Sequence, residues 1–111
     1  MELQAQVQGD LLVVTALEDR IDAAGAIAFK ERMRELTRAP TARVVLDLSR
    51  VTFLDSSGLG AVVAVMKLLG PDRPLELAGL TPPVERVFRL TRMDSVFAIH
   101  PDIDTSLRHA V

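Results

Sequence analysis

The chain has 111 residues, 49% of them hydrophobic and 25% charged, with a net charge of −2, the size and balance of one compact domain around a single core. Aromatic residues make up 4%, with neither Trp nor Tyr, which argues against a base-stacking platform, and the charge implies no basic patch for nucleic acid or anionic lipid. Cysteine is absent, which excludes disulfides, thiolate metal sites and a cysteine nucleophile.

Met1-Glu2-Leu3-Gln4 carries no charged-then-apolar leader pattern. The longest apolar run, Gly60 to Met66, is far below the roughly 20 residues that span a bilayer. The expectation is a cytoplasmic protein without membrane insertion, with residues 1–111 forming a single domain.

Leu3, Ala5 and Val7 alternate with Glu2, Gln4, Gln6 and Gln8, the period of a half-buried strand. Gly9-Asp10 signals a turn, and Leu11 to Leu17 reads as a second strand buried on both faces, completing a hairpin. Asp22 is placed as the N-cap of a helix over about 23–38. Ala26, Phe29, Met33 and Leu36 fall on one face of it, Lys30, Glu31, Arg34 and Glu35 largely away, and Pro40 stops it. Arg43 to Leu48 reads as a central strand.

A strand end, Val51-Thr-Phe-Leu54, then runs into Asp55-Ser56-Ser57-Gly58 and a helix to Leu69. Its apolar stripe is Leu59, Val62, Val63, Met66 and Leu69, and Gly70-Pro71 is its stop. Pro74 to Ala78 is another strand. Pro82 or Pro83 starts a helix whose inner face is Val84, Val87, Phe88 and Thr91. Val96 to Ile99 is a short final strand, and Asp102 to His109 a terminal helix capped by Asp102 or Asp104.

After the first hairpin, strands and helices alternate, which implies parallel crossovers. The expected fold is α/β: a small mixed, largely parallel β-sheet with helices packed on it and an antiparallel N-terminal edge hairpin. Sites in such sheets lie beyond the carboxyl ends of strands, where Asp55-Ser56-Ser57 falls. Polar residues there can cap the helix, hold an anion, or present a serine to another protein.

An enzymatic reading finds little to stand on. Ser56 or Ser57 as nucleophile needs His100 or His109 as base, yet the G-x-S-x-G elbow is missing and both histidines read as surface residues. Asp47, Asp55, Asp94, Asp102 and Asp104 show no metal-ligand spacing. Gly58-Leu-Gly60 lacks the remaining glycines and the lysine of a phosphate loop, Lys67 lying too far along the helix. No catalytic residue, metal or cofactor is assigned.

Val44-Val-Leu-Asp-Leu-Ser49 followed by Val51-Thr-Phe-Leu-Asp-Ser-Ser-Gly-Leu-Gly60 resembles the signature of STAS-domain anti-sigma factor antagonists. The resemblance implies a protein-binding switch, not an enzyme. In such proteins the hydroxyl just before this glycine is phosphorylated, which matches Ser57. Asp55 and Ser56 match its setting, and Asp22 matches the aspartate of a second family motif. Asp22, Asp55, Ser56, Ser57, Gly58 and Leu59 would then form the partner-binding surface. The implied partners are an anti-sigma factor with GHKL-type serine kinase activity and a cognate phosphatase. The unmodified chain would bind the anti-sigma factor and release the sigma factor. Asp19 stands where the family's second motif commonly has glycine. The alternative implied by the same resemblance is a STAS subunit of a lipid-transport ABC or stressosome-like assembly.

Overall fold

The computed structural model describes residues 1–108. Strands β1 (Leu3–Gln8) and β2 (Leu11–Ala16) form an antiparallel hairpin around Gly9, whose φ of 62° suits a residue without a Cβ. β3 (Arg20–Ile21) and helix α1 (Ala26–Leu36) follow, then β4 (Arg43–Asp47), β5 (Phe53–Leu54) and α2 (Ser56–Leu69). β6 (Leu75–Ala78), α3 (Pro82–Leu90), a 3-10 turn at Met93–Ser95, β7 (Ala98–His100) and α4 (Ile103–Arg108) complete the described chain. The main sheet has the order β1-β2-β4-β6-β7, with every pair beyond the hairpin parallel. β3 and β5 pair in parallel as a separate two-stranded ribbon.

Cross-strand partners share a sheet face, so the register sorts the core into two layers. Leu12, Val14, Val44, Leu46, Leu75 and Leu77 are buried against Phe29 and Met33 of α1, Val62 and Val65 of α2, and Val84 and Phe88 of α3. Leu11, Val13, Val45 and Ala78 face the other way, under Ile103 and Leu107 of α4. β2 and β4 are therefore covered on both sides, as their continuous apolar runs imply.

Several expectations need correction. Ala5 and Val7 sit on the helix side of β1 but are exposed, because they lie beyond the reach of the helical layer; only Leu3 of that alternation is buried. α1 starts at Ala26 with Gly25 as its N-cap, because residues 22–25 close a turn in which the Gly25 N–H reaches the Asp22 carbonyl at 3.0 Å. Thr91 is exposed, its hydroxyl bonded back to the Val87 carbonyl at 2.7 Å. The last strand lies at 98–100 rather than 96–99, since the 3-10 turn takes up the residues before it; Phe97 just ahead of it is buried, edge-on to Phe88. Asp102, not Asp104, caps α4, accepting the Thr105 N–H at 2.7 Å.

The two-residue strands were not foreseen as a paired ribbon, being too short to show a period. Nor was Arg73, whose guanidinium donates to the carbonyls of Thr37 (2.6 Å) and Ala39 (2.7 Å) and closes the exit of α1.

His100 is not a surface histidine. It is 9% exposed, and its Nε2 lies 2.8 Å from Glu76 Oε1. Arg43 donates to the same carboxylate in a two-pronged contact, Nε to Oε2 at 2.9 Å and Nη2 to Oε1 at 2.6 Å. Arg43 Nη2 also donates to the Ser106 carbonyl at 3.1 Å, which ties α4 to this network. Burial raises the Glu76 pKa, but the hydrogen bonds and charges of Arg43 and His100 outweigh it, and the net shift is downward from 4.5. A carboxyl with a lowered folded pKa contributes stability that is complete above its unfolded value and disappears as pH falls through its folded value. Stability should therefore fall below about pH 4.5. Glu76→Gln should flatten that acid limb in denaturant titrations across pH. At pH 7 it should lower stability by about 2 kcal/mol, because it leaves the half-buried Arg43 without its charged hydrogen-bond partner.

Candidate functional site

The serine cluster stands on the β3–β5 ribbon rather than on the main sheet. The Asp19 carbonyl accepts the N–H groups of Thr52 (2.8 Å) and Phe53 (3.1 Å), and the register pairs Arg20 with Phe53 and Ile21 with Leu54. A ribbon this short has little stability of its own. It is held by Ile21 and Leu54, both buried in the core. Outward, the Arg20 guanidinium lies 4.1 Å from the centre of the Phe53 ring, a cation–π contact, and Arg20 Nε donates to Asp22 Oδ2 at 3.2 Å. Spacing alone could not have revealed this stack, since it depends on the pairing of two distant dipeptides.

The chain leaves β5 at Asp55, which is extended and caps α2. Asp55 Oδ1 accepts the Gly58 N–H at 2.8 Å, and Oδ2 accepts the Ala23 N–H at 3.3 Å. One carboxylate thus starts the helix and holds the loop between β3 and α1. Asp22 accepts the Ala24 N–H at 3.1 Å through Oδ1, so it shapes that loop rather than capping a helix. Both aspartates are half-buried and belong to the same patch.

Gly58 is buried, and a Cβ there would run into the Ile21 carbonyl and come within 2.8 Å of Leu54 Cδ1. The helix can pack this closely only because position 58 has no side chain. That approach also rotates α2 from the expected orientation. Its fully buried line is Gly58, Ala61, Val62 and Val65, while Leu59, Val63, Met66 and Leu69 of the expected stripe are only half-buried. Ser56 and Ser57 are left exposed in the first turn. The Ser57 hydroxyl makes no hydrogen bond among the described residues. The Ser56 and Ser57 backbone N–H groups, which make no hydrogen bond among the described residues, lie at the positive end of the helix dipole.

Of the residues singled out from sequence, the structure brings together Asp22, Asp55, Ser56 and Ser57, with Gly58 beneath them and Leu59 packed partly into the core. His100 is engaged by Glu76, and His109 lies outside the described residues. Among the described residues no group of three His, Cys, Asp or Glu side chains is placed to hold a metal ion, and no helix is long and apolar enough to cross a membrane. A depression of about 420 Å³ at the carboxyl ends of β4 and β6, lined by Asp47, Ser49, Gly79 and Asp102 among others, contains none of the site residues.

The fold is shared with known proteins. The STAS domain family model matches residues 2–106. BtrV of Bordetella bronchiseptica, described as a candidate anti-sigma factor antagonist, is 30% identical over 91 residues, which cover 81% of this chain and 78% of BtrV. The crystal structure of an anti-sigma factor antagonist from Mycobacterium paratuberculosis superposes with a TM-score of 0.86 at 26% identity, covering 96% of this chain and 91% of that one. The anti-sigma factor antagonist SpoIIAA in its unphosphorylated form shares the fold, with a TM-score of 0.74 at 19% identity over 99% of both chains. The phosphorylated form of SpoIIAA, from Bacillus, superposes with a TM-score of 0.67 at 18% identity, covering 96% of this chain and 98% of that one.

The packing at Gly58 makes a sharp prediction. Gly58→Ala should destabilise the chain by about 3 kcal/mol, since neither the Ile21 backbone nor α2 can withdraw without opening the ribbon. Asp55→Ala should cost about 1–2 kcal/mol through the lost cap. Urea unfolding of the two variants and the unmodified chain measures both.

Proposed function

This chain belongs to the STAS domain family, and from that we propose that it is an anti-sigma factor antagonist whose hold on its partner is switched off by phosphorylation of Ser57. The observation that carries the reading is the Ser57 hydroxyl, exposed and without a hydrogen bond among the described residues, on a turn that Asp55 and Gly58 hold rigid. A protein kinase needs an accessible hydroxyl, and this one is exposed. The matching proteins described as anti-sigma factor antagonists support the partner class, and SpoIIAA, solved in both phosphorylated and unphosphorylated forms, supports the modification.

Local electrostatics supply a mechanism. A phosphoserine adds about −1.5 to −2 charges at pH 7. The free N–H groups of the first turn accommodate it, so the fold need not melt. Arg20 is already held by Asp22 and Phe53, and Asp55 and Asp22 add negative charge to the patch. The phosphate therefore stays solvated and has to be stripped of water when a partner closes over it. An uncompensated charge at an interface core costs on the order of 2–5 kcal/mol, enough to change affinity by a factor of roughly 30 or more. In this reading the unmodified chain binds the anti-sigma factor, a GHKL-type serine kinase modifies Ser57, and a phosphatase restores it. Asp22, Asp55, Ser56 and Ser57 form the contacting rim, and Gly58 and Leu59 support it from behind.

Incubation with ATP and each anti-sigma serine kinase of the same genome, followed by peptide mass spectrometry, should place phosphate on Ser57. Ser57→Ala should remove the modification and keep binding. Ser57→Asp should weaken binding at least about 30-fold by calorimetry with the melting curve unchanged. Unchanged affinity in Ser57→Asp would refute the charge switch, and phosphate on Ser56 alone would move the site.

A further inference from the structure

α1 and α2 pack side by side, and their outer surfaces leave an open cleft. It consists of two adjoining depressions of about 60 and 360 Å³ that share Lys30, Arg34 and Ala64. Ile27, 67% exposed, borders one, and Leu68, 47% exposed, borders the other. Lys30 and Arg34 stand four residues apart on α1, where like charges repel. Neither forms an ion pair among the described residues, and Glu31 is the one acidic residue lining the cleft. A cation pair that repels internally and flanks apolar side chains is matched to an anionic occupant.

The side of α2 that borders the cleft runs on beyond it to Ser57. Ser57, Gly60, Ala64 and Leu68 recur at spacings of three and four on α2, and so share one side of the helix. At 1.5 Å per residue the line from Ser57 to Leu68 is about 16 Å long, three turns of a docked helix. Gly60 lies on it. A glycine within a helix lowers helix stability, yet a Cβ at Gly60 would meet nothing within 4 Å. Nothing among the described residues requires the missing side chain there, in contrast to Gly58.

We propose that the α1–α2 cleft and the side-chain-free strip at Gly60 seat an acidic amphipathic helix of the anti-sigma partner, one end of which lies over Ser57. This rests on the switch reading above and deepens it. Apolar side chains of the incoming helix pack between Ile27 and Leu68, its carboxylates meet Lys30 and Arg34, and Gly60 and Ala64 let the two helices approach closely. One rigid helix would thereby link the docking cleft to the phosphorylation site, so a phosphate at one end can dislodge contacts along all of it.

The probe is the purified serine kinase that modifies Ser57, with affinities measured by calorimetry at low and high salt. Lys30→Gln/Arg34→Gln should lower affinity about tenfold and flatten its salt dependence, with Ser57 and its rim untouched. Gly60→Ala should raise the melting temperature by about 4 °C and still weaken binding, a divergence that a purely structural glycine cannot produce. Affinity within twofold of the unmodified chain for Lys30→Gln/Arg34→Gln, while Ser57→Asp abolishes binding, would overturn the cleft and leave the switch standing. Unchanged affinity in Ser57→Asp as well, or no kinase that modifies Ser57, would overturn both.

Discussion

The structure turns on the contact between the first turn of α2 and the Ile21 carbonyl. That contact exists because residue 58 lacks a Cβ. It lets one carboxylate, Asp55, satisfy N–H groups on two separate segments, Gly58 in the helix and Ala23 in the preceding loop. It also sets the rotation of α2, turning Ala61, Val62 and Val65 into the core with Gly58 and leaving Ser57 and Gly60 to solvent. Exposure of the serine and rigidity of its surroundings therefore have one cause. A longer side chain at 58 would push the helix away, loosen the cap and unseat the ribbon that carries Arg20 and Phe53.

The main sheet is insulated from that surface. Its helix side is a closed apolar layer of aliphatic strands against Phe29, Met33, Val62, Val65, Val84 and Phe88. Its other side mixes a small apolar cluster with Arg43, Glu76 and His100, and α4 lies across both. A charge added at Ser57 meets neither layer. The first turn of α2 can take up a phosphate through its own N–H groups while the sheet keeps its packing, so a large change in binding needs no large change in shape.

Much of the architecture was legible because long elements advertise their period. The alternation in Leu3 to Val7, the apolar runs of β2 and β4, the glycine-proline stop after Leu69 and the prolines opening α3 each led to the right element. The same signals misjudged the exposure of Ala5 and Val7, because a period states which residues share a face and not whether anything covers it. They misplaced the start of α1, because Asp22 makes an equally good turn and only the pull of Asp55 on Ala23 selects the turn. The serine cluster was visible as a motif, but the Arg20–Phe53 stack beside it was not, since its two residues are 33 positions apart and meet through a ribbon of two residues per strand.

By itself the sequence determined the α/β alternation, the antiparallel N-terminal hairpin, and the strand-to-helix turn bearing Asp55, Ser56 and Ser57, because these depend on local periodicity and on caps that act within a few residues. Tertiary structure alone decided which α2 residues reach the core, that His100 lies in the interior beside Glu76 and Arg43, and that Gly58 and Gly60 differ in what surrounds them. Those outcomes depend on distances between segments far apart in the chain, and at Gly58 and Gly60 the deciding quantity is whether a neighbouring backbone stands where a Cβ would go.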